Sequence, residues 1–292
     1  MPEERTKVTI LDLQEKKRKG QPITMLTAYD YPTALLVDRA GIDMILVGDS
    51  LAMVVLGHEN TVSVTMEEML HHCRAVSRGA KYALLVGDMP FMSYQVSPAQ
   101  AIENAGRFLK EAHMDVVKLE GGRDVALVVK AIVTAGIPVV GHIGLTPQTI
   151  SKLGGFKVQG KTIEAARRLI DDALALEDAG CFAIILEAIP DRVAQIITER
   201  VRVPTIGIGA GVHCDGQVLV LHDMIGLFDR FTPKFVKRYV NIFPELIAAL
   251  QTYKEDVEQH RFPGPEHGFT IKDEVYQALL AELQQQGGSK QH

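Results

Sequence analysis

Short apolar runs, each ending in a lone polar residue, recur along this chain and constrain its fold more than any other feature. Asp49 follows Met44-Ile-Leu-Val-Gly, Asp88 follows Ala83-Leu-Leu-Val-Gly, and Lys118 and Glu120 lie in Val116-Val-Lys-Leu-Glu. His142 follows Pro138-Val-Val-Gly, and Glu187 follows Ala183-Ile-Ile-Leu. Such runs read as parallel strands buried on both faces. Strand side chains alternate, so Ile45, Val47 and Asp49 are expected on one face, as are Leu84, Val86 and Asp88. The same holds for Val116, Lys118 and Glu120, and for Ala183, Ile185 and Glu187. Each face is apolar at its start and polar at its carboxyl end. A (β/α)8 TIM barrel is built this way, with a packed apolar interior and polar groups from several strand ends gathered at the C-terminal mouth.

The rest of the pattern agrees with an α/β chain of this kind. Strands are predicted at 23–30, 44–49, 83–89, 116–120, 139–143, 183–189 and 205–208, with a weaker last one near 224–227. Helices are predicted at 33–40, 66–78, 98–112, 124–135, 162–179 and 191–200. Polar strand ends spread along the whole chain favour a closed barrel over an open sheet with a single switch point. Ser97 before Pro98 and the start at Thr162 read as helix beginnings, and Gly41, Gly136 and Gly180 follow helix ends. Residues 51–65 are rich in strand formers and too long for a simple turn, so a small hairpin over the mouth is expected there. Residues 145–161, with Gly154-Gly155 and Gly160, form a second long rim loop. Amphipathic stretches at 235–258 and 270–286 add helices that pack on the barrel or on a neighbouring chain. We expect a single domain over 1–292, the barrel at about 23–240 with short N-terminal and C-terminal helical extensions, the latter over about 235–286.

A chain of 292 residues with 47% apolar content can bury a full barrel core. A net charge of −5 and dispersed basic residues give no reason to expect nucleic acid; the one basic cluster, Lys16-Lys17-Arg18-Lys19, reads as a solvated helix face. Cys73, Cys181 and Cys214 are too scattered for a disulfide framework or a CxxC metal site. No signal peptide is evident, and no apolar run approaches the roughly 18 residues that span a bilayer. The expectation is a cytoplasmic protein with no membrane contact.

Asp49, Asp88 and Glu120 end three consecutive predicted strands, so their carboxylates are expected side by side. Like charges ~4 Å apart repel by about 4 kcal/mol at an effective dielectric of 20. A divalent cation relieves this, and an all-oxygen set favours Mg2+ over Zn2+. The same carboxylates can also act only as loop caps or rim salt bridges. Lys118 points the same way as Glu120, one layer lower, where it can form a Schiff base, bind a substrate carboxylate or act as a buried counter-ion. The adjacent acids favour its protonated form and hence the latter two roles. Glu187 is a candidate general base. His142 is either a catalytic group or a hydrogen-bonded support behind one. Gly207-Ile-Gly-Ala-Gly lacks the spacing of a dinucleotide loop.

These residues lie in segments that resemble the ketopantoate (3-methyl-2-oxobutanoate) hydroxymethyltransferase family, similar to the phosphoenolpyruvate/pyruvate barrels. The matching stretches include Val47-Gly-Asp-Ser-Leu, Val86-Gly-Asp-Met-Pro-Phe, Val117-Lys-Leu-Glu-Gly-Gly, Gly141-His-Ile-Gly-Leu-Thr-Pro-Gln, Phe156-Lys-Val-Gln-Gly, Leu186-Glu-Ala-Ile-Pro and Cys214-Asp-Gly-Gln-Val-Leu-Val-Leu-His-Asp. The resemblance implies an enzyme of pantothenate biosynthesis that moves a one-carbon unit from 5,10-methylenetetrahydrofolate to 3-methyl-2-oxobutanoate, giving 2-dehydropantoate through a Mg2+-stabilised enolate. By match of motif it implies Asp49, Asp88 and Glu120 as metal-site acids, Asp49, Ser50, Asp88 and Lys118 around the oxo acid, and Glu187 as proton acceptor. It also implies a homo-oligomer, in many members a decamer. A Mg2+-dependent lyase acting on a pyruvate-like substrate would use the same mouth without folate.

Overall fold

The computed structural model describes residues 5–149 and 158–288. Its chain contacts divide into two compact units, Met1–Val240 and Asn241–His292. In the first unit eight parallel strands close into a barrel in sequence order, with β1 paired to β8. The strands are β1 (Ile23–Thr27), β2 (Met44–Val47), β3 (Leu84–Asp88), β4 (Val116–Glu120), β5 (Val139–Gly144), β6 (Ala183–Glu187), β7 (Thr205–Ile208) and β8 (Gly216–Leu219). Among the described residues the α-helices of this unit are α1 (Ile10–Arg18), α2 (Tyr31–Arg39), α3 (Leu51–Val54), α4 (Met66–Gly79), α5 (Pro98–Ala112), α6 (Ala126–Thr134), α7 (Ile163–Ala179), α8 (Asp191–Arg200) and α9 (Leu221–Met224). The second unit holds α10 (Phe243–Glu258) and α11 (Asp273–Gly288). This is the expected TIM barrel with helical extensions. Among its described residues no helix is long and apolar enough to cross a membrane.

Helix ends follow local chemistry. Ser97 accepts the Gln100 N–H and Thr162 accepts the Ala165 N–H, so each opens its helix as expected. Gly180 closes α7 in the left-handed region at φ 101°. Asp30, expected inside β1, instead caps α2 by accepting the Thr33 N–H at 2.8 Å, and the strand stops at Thr27.

Two apolar clusters divide the barrel. The interior holds Met25, Met44, Leu46, Leu84, Val86, Val116, Val140, Ile185, Ile206 and Val218. The cluster that includes the helix-facing residues contains Ile45, Val47, Leu85, Val117, Leu119, Ile184 and Leu186. For β3, β4 and β6 the inward phase is the expected one. For β2 it is reversed: Met44 and Leu46 point inward, and Asp49 lies beyond the strand end. Gly48 continues the inward phase, and the turn that follows it, ahead of α3, brings Asp49 back towards the mouth.

Leu13 of α1 is fully buried within the interior cluster and plugs the amino-terminal end of the barrel. The basic cluster belongs to that plug. Lys16 pairs with Asp43 at 2.6 Å, Lys17 with Asp215 at 2.8 Å, and Arg18 and Lys19 both pair with Glu15.

Two further sequence expectations are corrected. Residues 51–65 contain no strand; they begin with α3, a single helical turn that buries Leu51 and Ala52. The last strand is not at 224–227. It lies at Gly216–Leu219, and Met224 ends α9. Gly216 fits because a side chain there would meet the Ile23 carbonyl oxygen at 2.5 Å, where β8 packs against β1. Of the expected rim loop at 145–161, residues 150–157 lie outside the described residues, including Gly154, Gly155 and the Phe156-Lys157 start of one motif.

Candidate active site

Asp49, Ser50, Asp88, Lys118, Glu120, His142 and Glu187 all line one cavity of about 400 Å³ at the carboxyl ends of the strands. β3, β4, β5 and β6 supply five of them directly, and the turn after β2 supplies Asp49 and Ser50.

Lys118 is the hub. Its ammonium donates to both Asp88 carboxylate oxygens at 2.8 Å and stands 3.7 Å from Glu120 Oε1. Burial opposes the charge on Lys118, but Asp88, Glu120 and Asp49 outweigh it and raise its pKa above the ordinary lysine value. Glu120 is also fully buried, which favours its neutral form; Lys118 and then His142 overcome this and hold its pKa low. Asp49 is placed differently. Burial, then repulsion from Asp88 and Glu120, pushes it well above the usual carboxylate range. Burial and Glu120 also raise Asp88, against the pull of Lys118. Asp49 donates its backbone N–H to Asp88 Oδ2 at 3.0 Å, which ties the two acids together.

His142 bridges the two sides of the mouth. Its Nδ1 lies 3.4 Å from Glu120 Oε1 and its Nε2 lies 3.2 Å from Glu187 Oε2, though neither contact has hydrogen-bond alignment. Burial and Lys118 disfavour a charged ring, but the flanking carboxylates prevail and raise its pKa to about 9. Glu187 therefore lies against His142, and a single imidazole stands between the base candidate and the acid cluster.

Sequence reasoning missed Tyr94 and Gln148, both buried. Gln148 donates through Nε2 to Asp49 Oδ2 at 3.1 Å and to the Met89 carbonyl at 3.0 Å, while its backbone N–H donates to Glu120 Oε2 at 3.1 Å. The Tyr94 hydroxyl donates to Gln148 Oε1 at 2.7 Å and accepts the Glu120 N–H at 3.1 Å. Gln148 closes the motif that starts at Gly141, which was the available signal. Gln148→Leu keeps the volume and the backbone bond but strips Asp49 and Tyr94 of partners. We expect a loss of about 1–3 kcal/mol, seen as a lower urea midpoint for the chelator-treated protein. On the other side, Ser50 Oγ and the Tyr29 hydroxyl hydrogen bond at 2.7 Å.

The donor set has the chemistry of a hard-cation site, but only in part. Glu120 Oε1 is buried without a hydrogen-bond partner, and Asp49 is pushed towards its neutral form by repulsion that a cation would remove. Among the described residues, however, no group of three His, Cys, Asp or Glu side chains could hold a metal ion. The oxygens therefore fit a divalent cation only if water or substrate atoms complete its shell, as suits Mg2+.

The glycine loop after β7 has a packing role. Gly209 and Gly211 have φ of +63° and +81°, and side chains there would meet Phe235 and Asp191 at 2.7 and 2.5 Å. His72 is engaged with the Tyr29 carbonyl at 2.7 Å.

Residues 7–265 match the family model described as ketopantoate hydroxymethyltransferase. The chain belongs to that family. Curated relatives named 3-methyl-2-oxobutanoate hydroxymethyltransferase include those of Syntrophobacter fumaroxidans and Enterococcus faecalis. The first is 62% identical over 269 residues, 92% of this chain and 95% of the relative. The second is 56% identical over 273 residues, 94% and 99% of the two chains. Membership makes the chain a transferase of this kind. Solved structures share the barrel at low identity. A phosphonopyruvate hydrolase in complex with oxalate and Mg2+ is 11% identical, with a TM-score of 0.59 and coverage of 98% and 99%. A 2,3-dimethylmalate lyase is 14% identical, with a TM-score of 0.56 and coverage of 96% and 98%. At such identity these likenesses speak for the fold alone.

Proposed function

We propose that the chain transfers a hydroxymethyl unit from 5,10-methylenetetrahydrofolate to 3-methyl-2-oxobutanoate, giving 2-dehydropantoate for pantothenate biosynthesis. The names of the curated relatives support the acceptor and the reaction class. The observation that carries the site reading is the unpartnered Glu120 oxygen buried beside Asp49 and Asp88. In this reading those acids, together with water and the oxo acid's own oxygens, would hold Mg2+, which would supply Lewis-acid pull on the keto oxygen.

The chain's own groups do the rest. Asp49, Ser50, Asp88 and Lys118 surround the acid, with the Lys118 ammonium as a fixed positive charge against its carboxylate. A doubly hydrogen-bonded ammonium is a poor Schiff-base nucleophile, so we assign Lys118 no covalent step. Glu187 takes the C3 proton, with His142 holding it in position. The carbon left with the electron pair then attacks the donor methylene as one methylene–nitrogen bond opens, and water displaces the remaining folate nitrogen to give the hydroxymethyl group and tetrahydrofolate. Free Cys73, Cys181 and Cys214 support a reducing, cytoplasmic setting. Exposed Leu250 and Tyr253 on α10 and Leu279 and Leu283 on α11 support self-association, as in a decamer.

The test is direct. With a 13C-labelled methylene on the donor, NMR should show the label pass to C3 of the oxo acid in the presence of Mg2+. Cleavage or release of oxo acids without any folate requirement would overturn the reading in favour of a lyase.

A further inference from the structure

The cavity has two chemically distinct parts, and the acceptor reaction uses one. Its floor carries the acids, Lys118 and His142. Its outer wall is formed by Met53, Val54, Asp223, Phe228, Phe231 and Phe235. A small branched oxo acid seated on the floor leaves that wall uncovered. Phe231 and Phe235 are accordingly 63% and 38% exposed, a costly arrangement for aromatic side chains at a functional mouth.

Asp223 is the unusual member of this wall. It is only 8% exposed and lines the cavity, yet among the described residues its carboxylate makes no hydrogen bond or ion pair. Its oxygens face the open cavity instead of a protein donor, which leaves them free to accept N–H groups from a ligand seated there. Burial pushes its pKa up to about 6, against the pull of Arg238.

Its position is fixed. The Leu221 N–H that opens α9 donates to Thr27 Oγ1 at 3.0 Å, anchoring the turn on β1. The neighbouring His222 ring lies 5.3 Å from the Tyr29 ring, and Tyr29 is bonded to Ser50. The wall and the floor are thus tied together through Tyr29.

A partner for such a wall must be flat, apolar on its faces and rich in N–H groups along one edge. We propose that Asp223 with Phe228, Phe231 and Phe235 forms the subsite for the folate donor, its carboxylate accepting paired N–H groups from the aminopyrimidinone ring while the phenylalanines cover the ring face. This rests on the donor reading above. It assigns donor recognition to residues separate from the acids, Lys118 and Glu187.

The test is calorimetric titration of the Mg2+-loaded protein with tetrahydrofolate, under reducing conditions and with the oxo acid present. Asp223→Asn keeps the shape but replaces a charged acceptor with an amide, so tetrahydrofolate should bind about 10- to 100-fold more weakly. Its affinity for 3-methyl-2-oxobutanoate, titrated separately, should stay within about two-fold, because Asp223 does not belong to the floor. Phe231→Ser alters an exposed side chain that folding does not need and should weaken tetrahydrofolate by about five-fold or more. It reads the subsite even if the Asp223 variant fails to fold. Tetrahydrofolate binding that survives both substitutions would overturn the subsite alone. Absence of binding to the wild type would overturn the donor reading and the subsite with it.

Discussion

Glu187→Gln is expected to lower turnover by roughly 10²-fold or more while leaving the fold and oxo-acid binding intact. Glutamine keeps the shape and can still meet His142, which lies 3.2 Å from the native carboxylate, but it cannot accept a proton. In D2O with Mg2+ the wild-type protein should exchange the C3 hydrogen of 3-methyl-2-oxobutanoate, because proton removal precedes carbon–carbon bond formation. The glutamine variant should lose that exchange in parallel with turnover. Near-normal exchange in the variant would remove Glu187 as the base and move attention to His142.

The second large effect is on stability. Lys118→Met leaves Asp88, Asp49 and Glu120 buried with their hub removed. Breaking a buried ion pair by deleting one partner costs about 3–5 kcal/mol, and that loss is expected at neutral pH in the presence of chelator. Its pH dependence has a definite sign. Without the ammonium, the carboxylates have folded-state pKa values above their unfolded ones, so the native state binds more protons than the unfolded state and stability falls as pH rises. The deficit relative to wild type should therefore shrink from pH 8 towards pH 5, as the acids take up protons. Urea midpoints of the two proteins at both pH values measure this. A deficit independent of pH would show that the lysine is not the counter-ion of the cluster.

Much of this site is legible in the sequence because parallel strands obey a strict alternation. Val116, Lys118 and Glu120 can only share a face if the run is a strand, and the barrel places that face inward. The same reasoning holds for Asp88 and Glu187. It fails at Asp49, since periodicity says nothing about where a strand stops. Gly48 takes the inward position, and Asp49 reaches the cavity from the following turn.

The residues that periodicity could not find are those whose roles depend on contacts across the fold. Gln148 reaches Asp49 across 99 residues, and Tyr94 meets Gln148 across 54. Their sequence neighbourhoods are loops, where no repeat encodes direction. β8 escaped notice for a related reason. It is short, its first residue is a glycine, and alternate positions are open to solvent, so it lacks the continuous apolar run of the inner strands. The stretch after Asp49 shows the opposite failure: strand formers such as Val54 and Val55 were overridden by the burial of Leu51 and Ala52 in a single turn.

In the proposed function the acid cluster binds the oxo acid through a divalent cation. Calorimetric titration of 3-methyl-2-oxobutanoate into the chelator-treated protein, before and after addition of Mg2+, tests it most directly. Binding should be absent without the cation and restored by it. Equal affinity in both states would contradict a cation-bridged site, because the cation would then contribute nothing to oxo-acid binding beyond what Lys118 already supplies.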